Sequence, residues 1–85
     1  VNGRSQASVD AAVARLGAGA IGFAGDLATA QAAEAVVHSH PDIDILVNNV
    51  GGSHPGTPVT MPEEVWDRQI DFNLKTPFLA CKYVL

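Results

Sequence analysis

Three short segments combine polar or charged side chains with glycine, the first after Val1 and the other two directly after an apolar stretch. They are Asn2-Gly3-Arg4-Ser5, Gly25-Asp26-Leu27 and Asn48-Asn49-Val50-Gly51-Gly52. In the first, a guanidinium beside the free amides of a helix start suits a phosphate, because fixed donors and positive charge coincide there. The alternative is a solvated arginine next to a capping serine. In the second, Asp26 can accept a hydrogen bond from an adenine amino group while Leu27 packs on the ring. Equally, Asp26 can start a turn ahead of Thr29. In the third, two adjacent amides offer several donors and acceptors, and the glycines let backbone approach a ligand closely. A plain turn is the other reading.

A fourth position is singled out by backbone chemistry. Pro77 interrupts what otherwise reads as a continuing helix, and a proline has no N–H to return to the carbonyl four residues back. That carbonyl belongs to Asn73, and if buried it needs water or another donor. If Thr76-Pro77 instead begins a new helix, the same carbonyl becomes a cap. Other chemically capable residues carry less. His38 and His40 are two apart and point to different helix faces, so they read as surface or helix-end residues without metal spacing. His54, in the loop, can reach a substrate, while Trp66 reads as core and Cys81 as a small buried hydrophobe. Tyr83 has no lysine four positions on, because the sequence stops at Leu85.

The elements that must position these groups alternate along the chain. Ser5 can cap a helix whose apolar residues Val9, Ala12, Val13 and Leu16 share a face, with Gly17 and Gly19 suited to its stop. Residues 20–24 form a short strand candidate. Thr29 can cap a second helix with Ala33, Val36 and Val37 on its apolar face, ended by Pro41. Residues 43–47, Ile-Asp-Ile-Leu-Val, read as a strand buried on both faces. Thr60 and Glu63 have capping-box spacing and open a third helical stretch through Val65, Trp66, Ile70 and Leu74. Such alternation predicts an α/β protein with a parallel sheet and helices on its faces, and ligands bind outside the carboxyl ends of such strands.

Composition excludes several classes. The 85 residues are 47% hydrophobic and 16% charged, ordinary for a globular chain, and a domain that small is marginally stable alone. The net charge is -4 and the five basic residues are scattered, which gives no support to nucleic-acid binding. No apolar run approaches the roughly 20 residues of a membrane span, and no membrane association is expected. With one cysteine and no apparent leader, a cytoplasmic location is expected. Val1 stands where a methionine would start a chain, and Leu85 falls inside an apolar helical pattern, so both ends are expected to lie within a longer protein.

The string Asp44-Ile45-Leu46-Val47-Asn48-Asn49-Val50-Gly51, followed by Trp66 and Asp71-Phe72-Asn73-Leu74, resembles the short-chain dehydrogenase/reductase family. Residues 48–51 resemble the family's Asn-Asn-Ala-Gly motif with Val50 in place of alanine, and Gly25-Asp26-Leu27 resembles its adenine-site segment. The resemblance spans the chain and implies part of a Rossmann-type doubly wound domain, from the end of the second strand to the helix after the fourth. It implies that Asp26 and Leu27 flank the adenine, and that Asn48, Val50 and Gly51 line the adenosine and ribose. Arg4 stands where members that prefer NADP often carry a basic residue, so NADP(H) is favoured over NAD(H). Asn73 matches the catalytic asparagine, whose main-chain carbonyl holds a water in the proton relay.

The same resemblance implies a carbonyl or alcohol oxidoreductase acting on a small molecule, the intact parent forming a homo-oligomer. The family's glycine-rich phosphate loop, its serine and its Tyr-x-x-x-Lys pair have no counterpart in these 85 residues, so the segment alone is expected to be inactive. With strand order 3-2-1-4, the last strand here is also expected to lack its neighbour. A non-catalytic nucleotide sensor or interaction protein on the same scaffold is the alternative, since fold does not fix function. An unrelated α/β binding module is a third reading.

Overall fold

The computed structural model describes all of residues 1–85. In chain order it contains β1 (Asn2–Gly3), α1 (Gln6–Leu16), β2 (Phe23–Ala24), α2 (Ala30–Ser39), α3 (Glu63–Ile70), a π-helical turn (Asp71–Lys75) and α4 (Thr76–Val84). No helix is long and apolar enough to cross a membrane.

The first half is a βαβ unit. Ser5 Oγ accepts the Ser8 N–H at 3.2 Å and starts α1. Gly17, at φ 85°, ends it by donating its N–H to the Val13 carbonyl, a backbone conformation that side chains with a Cβ rarely adopt. The chain then returns parallel to β1, with Asn2 opposite Phe23 and Gly3 opposite Ala24. Donation from Phe23 to Val1 and from Gly25 to Gly3, both at 2.9 Å, carries the pairing one step beyond each end. Asn2 reinforces it by donating Nδ2 to the Phe23 and Gly25 carbonyls at 3.1 and 3.0 Å. Val9 of α1 is buried over this pair, and a Cβ at Gly22 would collide with its Cγ1, so only glycine lets the returning chain pass under the helix. The strand expected over residues 20–24 is thus shorter, with regular pairing confined to its last two positions.

Thr29 caps α2 by accepting the Ala32 N–H. α2 packs on α4, and Ala33 of the first and Thr76, Leu79 and Ala80 of the second are buried. α3, the π turn and α4 form one helical run from 63 to 84.

Three expectations are corrected. Residues 43–47 form no strand, and Ile45 and Val47 are 82% and 78% exposed. A strand exists through its ladder, and here an apolar groove of about 560 Å³, lined by Asn2, Ile43, Ile45, Val47 and Val84 among others, takes the place of a neighbour. Thr60 does not cap α3. It exchanges hydrogen bonds with Thr57, and Pro62 takes the cap position without a side-chain bond. Glu63 is therefore the first helical residue instead of the third, and with Glu64 it places negative charge in the first turn. Trp66 is not core: it is 58% exposed, and α3 buries no residue.

Candidate cofactor groove and the Asn73 clamp

The ends of β1 and β2 and residues 49–52 converge on one groove of about 370 Å³. β1 and its turn contribute Asn2, Gly3 and Arg4, and β2 and its turn contribute Gly25, Asp26 and Leu27. The third wall is Asn49, Val50, Gly51 and Gly52, and Phe72 reaches in from the π turn. Five of the six residues expected at a cofactor, Arg4, Asp26, Leu27, Val50 and Gly51, thus share one space. Asn48 does not. Its Nδ2 lies 3.7 Å from Cys81 Sγ, and its neighbour Asn49 lines the groove in its place.

The Arg4 guanidinium lies 5.6 Å from the centre of the Phe72 ring, within cation–π range. The one ion pair in the structure joins Lys75 to Asp71, so Arg4 has no carboxylate partner and its donors remain available to an anion. Asp26 does start a turn: Oδ1 accepts the Ala28 N–H at 3.0 Å, and its carbonyl accepts from the Thr29 N–H and hydroxyl. The turn and the groove position coexist, because only one carboxylate oxygen is engaged. Phe72 was legible as part of the Asp71-Phe72-Asn73-Leu74 string, but nothing in its spacing marked it as a wall of this groove.

Asn73 lies where the groove loop meets the helical run. Its Nδ2 donates to the Gly52 carbonyl at 2.8 Å and to the Gln69 carbonyl at 2.9 Å, while Oδ1 accepts the Gly52 N–H at 3.1 Å. The amide therefore holds Gly52 by both of its backbone groups. A Cβ at Gly51 would sit 2.9 Å from Asn73 Oδ1, so the clamp requires glycine there. The expectation concerned the carbonyl of Asn73; the side-chain clamp was not anticipated. Pro77 does not break the helical run: it falls in the first turn of α4, which begins at Thr76 as one of the two readings expected. The run passes through it by way of the π turn, in which the Thr76 N–H goes to the Asp71 carbonyl five residues back. Such turns recur at functional sites.

The remaining candidates lie elsewhere. His38 is exposed, His40 caps α2 with Nδ1 3.2 Å from the Val36 carbonyl, His54 lines neither groove, and Cys81 is half-buried and free. No three acidic, histidine or cysteine side chains converge as a metal site.

A βαβ unit whose strand ends open onto a groove shared with a glycine-rich loop is the arrangement in which open α/β sheets place their ligand sites. The profile of the family described as short chain dehydrogenase matches residues 1–85, and the chain belongs to that family. Its fold is accordingly a portion of the Rossmann-type α/β architecture. It is 36% identical to human dehydrogenase/reductase SDR family member 4, over an alignment that takes in all of this chain and 34% of that protein. It is 42% identical over 52 residues to the 3-oxoacyl-acyl-carrier-protein reductase of Thermotoga maritima, covering 61% of this chain and 21% of the relative. A crystal structure assigned to the short-chain dehydrogenase/reductases, from Burkholderia xenovorans, superposes with a TM-score of 0.84 at 38% identity, covering 98% of this chain and 36% of the other. The chain thus spans about a third of the length of the relatives it matches end to end.

Proposed function

We propose that the groove is the adenosine-facing half of an NADP(H) site, in an oxidoreductase that interconverts a carbonyl compound and an alcohol. The observation that carries this reading is the convergence of Arg4, Asp26, Leu27 and residues 49–52 on one space beyond the strand ends. The groove chemistry fits a phosphorylated nucleoside. Leu27 and Val50 provide apolar surface for a base, and the free oxygen of Asp26 accepts from an exocyclic amine. Gly51 leaves no room for a side chain between loop and helix.

Arg4 decides between the two dinucleotides. A site for NAD places a carboxylate near the ribose hydroxyls, whereas an arginine accommodates a 2′-phosphate. The turn after β1 reads Arg4-Ser5, with no acidic residue. When bound, the dinucleotide supplies the hydride. The chain's own residues bind and orient it, and the Asn73 carbonyl, to which Pro77 has no N–H to give, holds a water that passes protons to the reacting oxygen. The Thermotoga relative is named for reduction of an oxoacyl group, which supports a carbonyl substrate.

In the full-length protein, Arg4→Ala is expected to weaken NADPH about tenfold or more, the size of a charge-assisted hydrogen-bond loss, and to leave NADH binding within about twofold. Fluorescence titration with both dinucleotides reads this out. Equal losses for the two, or none, would remove Arg4 from the phosphate site.

A further inference from the structure

The π turn holds together two faces that a regular helix could not present at once. Within it, Asn73 faces Gly52. Downstream, Thr76, Leu79 and Ala80 are buried on the side of α4 that meets α2. Each residue turns an α-helix by about 100°. Deleting the one-residue excess of the π turn would rotate one face against the other by that angle, and one of the two contacts would be lost. Pro77 disfavours the regular register by withholding an N–H, but a missing donor does not itself say which alternative register forms.

We propose that Thr76 selects that register and is the positioning residue of Asn73. The residue is 3% exposed, and its hydroxyl donates to the Asp71 carbonyl at 2.9 Å. Threonine hydroxyls in a regular helix reach the carbonyl three or four residues back; this one reaches five. The Thr76 N–H meets the same oxygen, so the Asp71 carbonyl takes two donors from one residue and the wide turn is closed twice. Lys75–Asp71, at 3.7 Å and half exposed, spans the same turn but contributes little in water. The hydroxyl therefore sets where the bulge lies, the bulge sets the direction of Asn73, and Asn73 sets the position of Gly52 in the cofactor loop.

The catalytic consequence rests on the reading of Asn73 given above; the structural one does not, and the test separates them. In the full-length protein, Thr76→Val keeps the shape of the side chain and removes the donor. Hydrogen exchange at the Gly52 amide, which is held by Asn73 Oδ1, is expected to accelerate about fivefold, the equivalent of one net hydrogen bond. Turnover is expected to fall about tenfold, with Thr76→Ser restoring both. In an Asn73→Ala background the valine should have no further effect on kcat, because the residue through which it acts is gone. If valine prevents folding, Thr76→Ala is measured against Thr76→Ser in the same way. Unchanged Gly52 exchange in the hydroxyl-free variant, or a kcat loss that adds to that of Asn73→Ala, would overturn the proposal. A wild-type protein without turnover would defeat the oxidoreductase reading and leave the exchange measurement to decide the role of Thr76.

Discussion

Expressed alone, the 85-residue chain should show no cooperative thermal transition and should bind a hydrophobic dye or associate. Its accessible surface is 6221 Å², whereas a compact monomer of this mass exposes roughly 4,800 Å². At about 25 cal/mol per Å², burial of even a quarter of that excess as apolar surface falls within the ~5–15 kcal/mol that holds a typical domain folded. The radius of gyration is 14.6 Å against an expected value of about 12 Å for this length. Only five residues are buried, and none of them is aromatic. The sheet consists of two strands of two residues each, and the apolar groove beside residues 43–47 leaves a strand-forming segment without a ladder. Circular dichroism melts with sedimentation analysis provide the check. A sharp, reversible, concentration-independent transition from a monomer would show that the groove needs no further segment to cover it.

The largest functional effect is expected at Asn73. Replacing it by alanine removes two hydrogen bonds that connect the groove loop to the helical run and a third, to Gln69, that orients the side chain within the run. At about 1 kcal/mol net for each of the two loop bonds, the loop loses enough positional free energy to lower turnover on the order of 30-fold. Asn73→Asp separates charge from geometry. Aspartate can still accept the Gly52 N–H, but it cannot donate to the Gly52 and Gln69 carbonyls and sets negative charge against them. It should therefore be no better than alanine, even though it is nearly isosteric. Steady-state kinetics on the full-length variants, with Gly52 exchange as a structural control, reads this directly. An Asn73→Asp variant with near-parental turnover would mean that the side-chain clamp is irrelevant and that only the main-chain carbonyl matters.

Legibility in the sequence followed the range of the interaction concerned. The caps at Ser5 and Thr29 and the stop at Gly17 were read correctly because each acts over three or four residues. The strand at residues 43–47 has the right composition, but pairing is non-local, and β-branched residues in a row cannot reveal whether a partner is present. Thr60 failed as a cap because Thr57 offered a closer partner and Pro62 set the helix start. Of the groove residues, Arg4, Asp26, Leu27, Val50 and Gly51 were legible from motif order. Asn49 lines the groove and Asn48 does not, a distinction that motif order leaves open. At Pro77 the lost donor was evident, yet the outcome depended on what anchors the run at each end: Gly52 on one side and α2 on the other. Neither is encoded near Pro77, so the π turn emerges only with the packing.

Arg4, Asp26 and the 49–52 loop have a common purpose if the groove belongs to a working dinucleotide enzyme. The most direct test follows NADPH absorbance while the full-length protein is supplied with a panel of ketones, aldehydes and oxoacyl thioesters, with NADH run in parallel. Substrate-dependent loss of NADPH absorbance is expected, with a weaker response to NADH and loss of that preference in Arg4→Ala. A folded full-length protein that binds neither dinucleotide and oxidises neither with any member of the panel would contradict that reading of the groove.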